Sequence, residues 1–388
     1  MNGINKKIQQ LKEMSLYRDI KYLSEAQDKY TTIDNKRVIL MASNNYLGLS
    51  NNNSIKKAAI ESIKHYGVGS GGSRLTTGSY NVHRELEKKI ATFKNCEDCL
   101  IFNNGYMANV GVISSICDEE FTIFSDELNH ASIIDGCRLS KAKVVVYKHN
   151  DMIDLSNKVK LKKSKYGVIV ADSVFSMDGD IANLKEIVNI AKDNNLMTIV
   201  DDAHATGVIG EKGKGSCEYF NIKDIDIIIG TLSKAIGSEG GFVCANSEIT
   251  NFLRNKARSF IFSTALSPSV VSASIKSIEI IEKNPGLIKK LNENIEYFCE
   301  KLGEIGFKVK SNTPIVPIII GDEDVANEFS KKLLEEGVFI PAIRYPTVKK
   351  GEARLRATLM ATHTFDDIDF AIKKIQKVNE FIKIKTTK

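Results

Sequence analysis

The chain reads as a mostly parallel α/β sheet followed by a separate, smaller α+β region. Three observations predict this. Short β-rich runs alternate with helix-period segments through the middle of the chain, those runs are apolar on both faces, and after Ser267-Pro268 the texture changes to long amphipathic helices. The predicted strands are Cys99 to Phe102, Phe121 to Ser125, Lys143 to Tyr147, Tyr166 to Ala171, Met197 to Asp201 and Ile225 to Gly230. Between them, Val82 to Phe93, Met107 to Ile116, Ala131 to Ser140 and Asn183 to Asp193 carry helical periodicity. The later region offers helices over Val270 to Lys283, Leu287 to Leu302, Val325 to Glu336 and Asp367 to Ile382, with strand-like Ile315 to Ile320 and Val338 to Ile340. The first fifty residues read as a helix and a short β segment that must pack against another domain or subunit. The expected division is therefore an N-terminal segment (1–50), a large α/β domain (51–268) and a C-terminal α+β domain (269–388), since 388 residues exceed what one core usually organises.

Composition narrows the function. Apolar residues make up 43% and charged residues 26%, so there is material for a buried core and no disorder signature. No stretch of eighteen apolar residues occurs and Met1 to Lys21 has no h-region, so a cytoplasmic, non-membrane protein is expected. Seven scattered cysteines argue against a disulfide framework. The one CxxC, Cys96 to Cys99, has no second pair and falls at a helix-to-strand junction, which favours structure over zinc or redox chemistry. The net charge of +6 comes partly from lysine-rich helices and the tail Lys383 to Lys388, which read as solvated faces. Without Trp or aromatics interleaved in a basic patch, no nucleic-acid partner is expected.

The informative polar residues fall just past strand ends, where open α/β sheets bind ligands. Met197 to Val200 stops at Asp201-Asp202, with His204 three residues after the first acid. Ile227 to Gly230 runs into Thr231-Leu232-Ser233-Lys234, a small-residue turn holding one lysine. A lysine in that position is poorly explained as surface. Pyridoxal phosphate needs an amine, a carboxylate for its ring nitrogen, a partner for its ring hydroxyl and a phosphate cradle. Lys234, Asp201 and His204 supply the first three, and Asn104-Gly105-Tyr106, where a strand turns into a helix, supplies the fourth. His130 is placed to stack on the ring. Singly, each has a bland alternative, and an Asp-x-x-His at a strand end is more often a cap. Gly67 to Gly72 looks like a nucleotide loop but follows a helical pattern, so a turn near the substrate channel is the better reading. An NAD-type Gly-x-Gly-x-x-Gly after a strand is not found. Arg354 and Arg356 lie two apart on a strand, and spacing does not say which reaches a ligand.

The sequence resembles the α-oxoamine synthases, a branch of the fold-type I pyridoxal-phosphate transferases. The likeness runs through Ser43 to Leu49, Gly69 to Leu75, Asn129 to Gly136, Ser173 to Asp180, the Asp201 and Lys234 motifs, and Phe262 to Leu266. It implies decarboxylative condensation of an amino acid with an acyl thioester in a homodimer, with Lys234, His130 and Asp201 catalytic. It further implies cofactor contacts from Gly105, Tyr106, Ser176, His204 and Thr231, and from Thr264 across the subunit boundary. Substrate contacts are implied for Arg18, Asn44, His130, Thr347 and Arg356. Within the family, Gly69 to Gly78 and Ile340 to Val348 look like the branch that joins L-alanine to a pimeloyl thioester carried by CoA or acyl carrier protein. The branch using glycine and acetyl-CoA typically carries Ser-Val-Arg-Phe in the first block, although Asp126 to Asp151 is similar in it too. Inactive partner subunits of the same fold usually lose the cofactor lysine, which is present here.

Overall fold

The computed structural model describes residues 2–14 and 16–386, so the last two residues of the basic tail lie outside the described residues. After an exposed helix, Asn2–Glu13, the chain forms a hairpin of β1 (Tyr30–Ile33) and β2 (Lys36–Leu40). Its two-residue turn, Asp34-Asn35, is left-handed at both positions, a conformation these two residue types tolerate.

Seven strands make the main sheet: β3 (Asp98–Phe102), β4 (Phe121–Asp126), β5 (Lys143–Tyr147), β6 (Tyr166–Asp172), β7 (Met197–Asp201), β8 (Ile227–Thr231) and β9 (Gly241–Ala245). Their order is β3-β9-β8-β7-β6-β4-β5, and only the pairings of β9 are antiparallel. The six strands read from periodicity are all present, within two residues at each end. In the inner strands the continuous apolar runs have the expected cause, because alternate residues serve two cores, whereas the edge strand β5 leaves Val144 and Val146 exposed. Val168 and Val170 of β6 pack with Ile199, Ile227 and Ile229 on one face, whereas Ile169 and Ala171 join Phe124, Val200 and Ile228 on the other.

Beyond residue 268 the helix Pro268–Lys283 lies along Asn53–Tyr66 and Asn81–Lys94, helices of the first part of the chain. A second sheet follows, with β10 (Ile315–Gly321) and β12 (Ala342–Ile343) flanking β13 (Ala353–Thr358), all antiparallel. Between them β11 (Val338–Phe339) pairs in parallel with β2, so the N-terminal hairpin is completed by the C-terminal third of the same chain. Among the described residues, no helix is long and apolar enough to cross a membrane.

Candidate active site

Strands β6 and β7 end side by side, with Asp172 opposite Asp201, both carboxylates buried. Asp201 accepts from Asn109 Nδ2 at 2.6 Å and from the Ala203 backbone N–H at 2.7 Å. Asn109 projects from the helix Gly105–Ile116 and also donates to Ser132 Oγ at 3.0 Å. Asp172 accepts from the His130 N–H at 2.7 Å, which fixes the start of the helix Ala131–Ser140. Burial, reinforced by the charge of Asp201, pushes the Asp172 carboxyl well above the usual carboxylate range. The His130 ring itself is exposed at the mouth of the site, 6.4 Å from the Tyr106 ring and edge-on to it.

Lys234 sits in the turn after β8, closed by hydrogen bonds from Gly237 N to Lys234 O (2.9 Å) and from Ser238 N to Leu232 O (2.9 Å). The Thr231 hydroxyl donates to Gly240 O at 2.8 Å and accepts from Ser233 N at 3.2 Å, bracing that turn from within. Loss of solvent disfavours the ammonium and lowers the Lys234 pKa to about 8, against the attraction of Asp201 and Asp172. His204 is buried, with Nδ1 2.7 Å from the Tyr46 hydroxyl. Burial, with the positive charges of Lys234 and Arg356, holds it neutral by pushing its pKa well below the usual histidine value.

Asn104 caps the helix Gly105–Ile116, its Oδ1 accepting from Met107 N at 2.8 Å and its carbonyl from Ala108 N at 3.1 Å. The first two amides, those of Gly105 and Tyr106, are left without a partner inside the helix, the arrangement of a candidate anion cradle. A Cβ on Gly241 would lie 2.3 Å from the Asn104 carbonyl oxygen, so only glycine lets β9 run this close beneath the cradle. The Tyr106 phenol is exposed and hydrogen-bonds Asp135.

The C-terminal sheet supplies the other wall. Arg356 Nε donates to Ser176 O at 2.6 Å and Nη2 to Asn44 Oδ1 at 3.3 Å. The Tyr46 hydroxyl reaches the same Asn44 oxygen at 3.0 Å, so hydrogen bonds run from Arg356 through Asn44 and Tyr46 to His204. Arg354 is instead occupied by an ion pair with Asp178. Arg18 and Thr347, 329 residues apart, meet at 3.2 Å on the exposed side. Thr264 is exposed, its carbonyl accepting from Asn103 Nδ2 at 2.6 Å, and it bridges to Ser73. The Gly69 block therefore packs on the Phe262 block beside the site, and is no nucleotide loop after a strand.

Sequence reasoning missed three groups here. Asp172 carried a signal, since β6 stops at an acid just as β7 does. Asn109 is the one amide in an otherwise apolar or small-residue helix, a second signal. Lys94 had none: its ammonium is wholly buried against Asp202 at 2.7 Å, with Thr206 Oγ1 at 3.2 Å and Lys214 O at 2.5 Å, anchoring the segment that carries His204.

An enclosed amine, a buried carboxylate, a neutral imidazole and an amide cradle at the carboxyl ends of one mostly parallel sheet are the parts a pyridoxal-phosphate transferase needs, and the donor set fits that cofactor. The chain belongs to the aminotransferase class I and II family, whose model matches residues 36–375. It is 52% identical over 378 residues to the 8-amino-7-oxononanoate synthase of Lysinibacillus sphaericus, covering 97% of each chain. To the 8-amino-7-oxononanoate synthase of Thermoanaerobacter pseudethanolicus it is 51% identical over 388 residues, covering 99% of this chain and 98% of that one. A serine palmitoyltransferase from S. paucimobilis, solved with bound pyridoxal phosphate and myriocin, superposes with a TM-score of 0.93 at 30% identity over 98% of each chain. The fold is thus the fold-type I transferase architecture, as the resemblance implied.

Because the carboxylates favour the ammonium and burial opposes it, removing one carboxylate should lower the Lys234 pKa further. Competitive acetylation of cofactor-free protein, read by mass spectrometry against pH, is expected to show Lys234 titrating near 8, and lower in Asp201→Asn. A midpoint near 10.5 in the unmutated protein, or an upward shift in the variant, contradicts the electrostatic account.

Proposed function

We propose that the chain catalyses the 8-amino-7-oxononanoate synthase reaction of biotin biosynthesis, joining L-alanine to a pimeloyl thioester with loss of carbon dioxide. The observation that carries this reading is identity of 52% and 51%, over nearly the whole length, to relatives bearing that name. In this reading the Lys234 amine would hold pyridoxal phosphate, Asp201 would pair with its ring nitrogen, His204 would pair with its ring hydroxyl and the His130 ring would stack on it. The Gly105 and Tyr106 amides take the phosphate, with Ser176 and Thr231 alongside. When bound, the cofactor supplies an electron sink for the pair left on the amino acid's α-carbon.

The side chains do the rest. Arg356, oriented by Ser176 O and Asn44 Oδ1, takes the alanine carboxylate in a two-pronged contact. Once the alanine amine has displaced it from the cofactor, Lys234 Nζ would be free to accept the α-proton and later return one, and the burial that lowers its pKa favours the neutral, proton-accepting form. His130 shields the reacting face and assists with protons. The α-carbon bonds to the acyl carbonyl carbon as the thiolate leaves, and the alanine carboxyl departs as carbon dioxide. Arg18 and Thr347, paired at the outer rim, receive the acyl substrate.

A cytoplasmic homodimer belongs to the same reading. The helix Asn2–Glu13 leaves Ile4 (68%), Ile8 (39%) and Leu11 (42%) exposed at i, i+4 and i+7, an apolar stripe suited to a second copy. Thr264, exposed at the rim, would then reach the other subunit's phosphate.

Purified enzyme loaded with cofactor is expected to turn over alanine with pimeloyl thioester faster than glycine with acetyl-CoA. Arg356→Lys should raise the alanine requirement far more than that for the thioester, because an ammonium is a point charge without the paired donors of a guanidinium. Faster turnover with glycine and acetyl-CoA moves the assignment to 2-amino-3-oxobutyrate CoA ligase. Sedimentation should give a dimer at assay concentration, and a fully active monomer refutes the shared site.

A further inference from the structure

His149 lies outside the groups assigned so far, just after β5. Its two ring nitrogens each face a carboxylate, Nδ1 at 3.0 Å from Asp126 Oδ1 and Nε2 at 3.0 Å from Asp180 Oδ2. A ring between two carboxylates can donate to both only as the imidazolium. Burial alone would make that form less favourable, but the two hydrogen bonds and both negative charges outweigh it and raise the pKa to about 10. The ring also packs edge-on against Phe175, with centroids 4.4 Å apart.

The two carboxylates lie at or just beyond the carboxyl ends of the neighbouring strands β4 and β6. Asp126 ends β4, and its Oδ1 also accepts from Leu128 N at 2.9 Å, shaping the turn that delivers Asn129 and His130. Asp180 belongs to the loop after β6, whose Ser176 carbonyl orients Arg356. That loop is gripped from the C-terminal sheet by Arg356 and by Arg354 on Asp178, and from the segment before β10 by Thr313 Oγ1 on Gly179 O at 2.8 Å. From the main sheet its far limb is held by His149 and by Asn150 Nδ2 on Ile181 O at 3.2 Å.

We propose that His149 is a positioning residue for amino-acid binding: clamped between Asp126 and Asp180, it fixes the Ser176 loop, and through it the Arg356 guanidinium, relative to the His130 turn. It touches neither cofactor nor substrate in this arrangement. The inference rests on the assignment of Arg356 to the substrate carboxylate but not on which amino acid is used, because alanine and glycine present the same carboxylate.

The test is a double-mutant cycle of His149→Gln and Asp180→Asn on cofactor-loaded protein. The readouts are the dissociation constants of alanine and of glycine from the change in cofactor absorbance, and the KM for the thioester. Each single variant should weaken binding of both amino acids about tenfold, the range of a lost charge-assisted hydrogen bond, while the thioester KM stays within about twofold. The double variant should be no worse than either single one, since each removes the same charge pairing between His149 and Asp180. Additive losses, unchanged amino-acid binding, or equal losses for both substrates overturn the inference. If His149→Gln does not fold, Asp180→Asn decides alone, because it leaves the bond to Asp126 intact. Loss of binding in Arg356→Lys with none in these variants leaves the function standing and removes only the clamp. Should Arg356→Lys bind both amino acids normally, the carboxylate assignment fails and the clamp fails with it.

Discussion

Everything in the site depends on keeping the Asp201 carboxylate buried beside the Lys234 amine. Taking a carboxylate out of water costs several kcal/mol, and it is tolerated only when hydrogen bonds and a nearby positive charge replace the solvent. Asn109 Nδ2 and the Ala203 amide supply the first replacement, and the Lys234 side chain supplies the second. The arrangement requires β7 and β8 to be adjacent and parallel, so that an acid and a lysine-bearing turn leave the sheet at the same edge. It also requires the helix Gly105–Ile116 to lie across that edge, where one helix provides both the Asn109 brace and the amide cradle. The neighbouring Asp172 adds a second acid, and its raised pKa follows directly from sharing the burial.

The substrate side is built from elements remote in sequence. Arg356 comes from β13, Asn44 from the segment after β2, and the carbonyl between them from the loop after β6. That segment is itself anchored by the pairing of β2 with β11. The position of the Arg356 guanidinium therefore depends on how the C-terminal sheet seats on the main one, and His149 holds the far limb of the loop on which it rests.

How much of this was legible follows from what local sequence encodes. Six of the seven strands of the main sheet were readable because each is a short continuous apolar run bounded by polar or small residues. Strand β9 was missed: Gly241 to Ala245 is brief, follows a glycine turn, and nothing in its side chains states that it enters the sheet antiparallel between β3 and β8. Lys234 and Asp201 were visible as chemistry because they end buried strands. Arg18 and Thr347 were not, since only family resemblance joined residues 329 positions apart before the fold did. The ambiguity between Arg354 and Arg356 was likewise real in sequence, as both lie on one face of β13, and it is the Asp178 ion pair that commits Arg354 elsewhere. Lys94 reads as an ordinary helix-end lysine and is recognisable as an anchor only once Asp202 is seen against it.

Lys234 is the amine proposed to carry the cofactor. Borohydride reduction of the pyridoxal-phosphate-loaded protein, followed by proteolysis and mass spectrometry, tests it directly. A single stably modified lysine is expected, on the peptide containing Lys234, and none in Lys234→Ala. A modified lysine elsewhere in the unmutated chain, or a reducible linkage that survives Lys234→Ala, would contradict it.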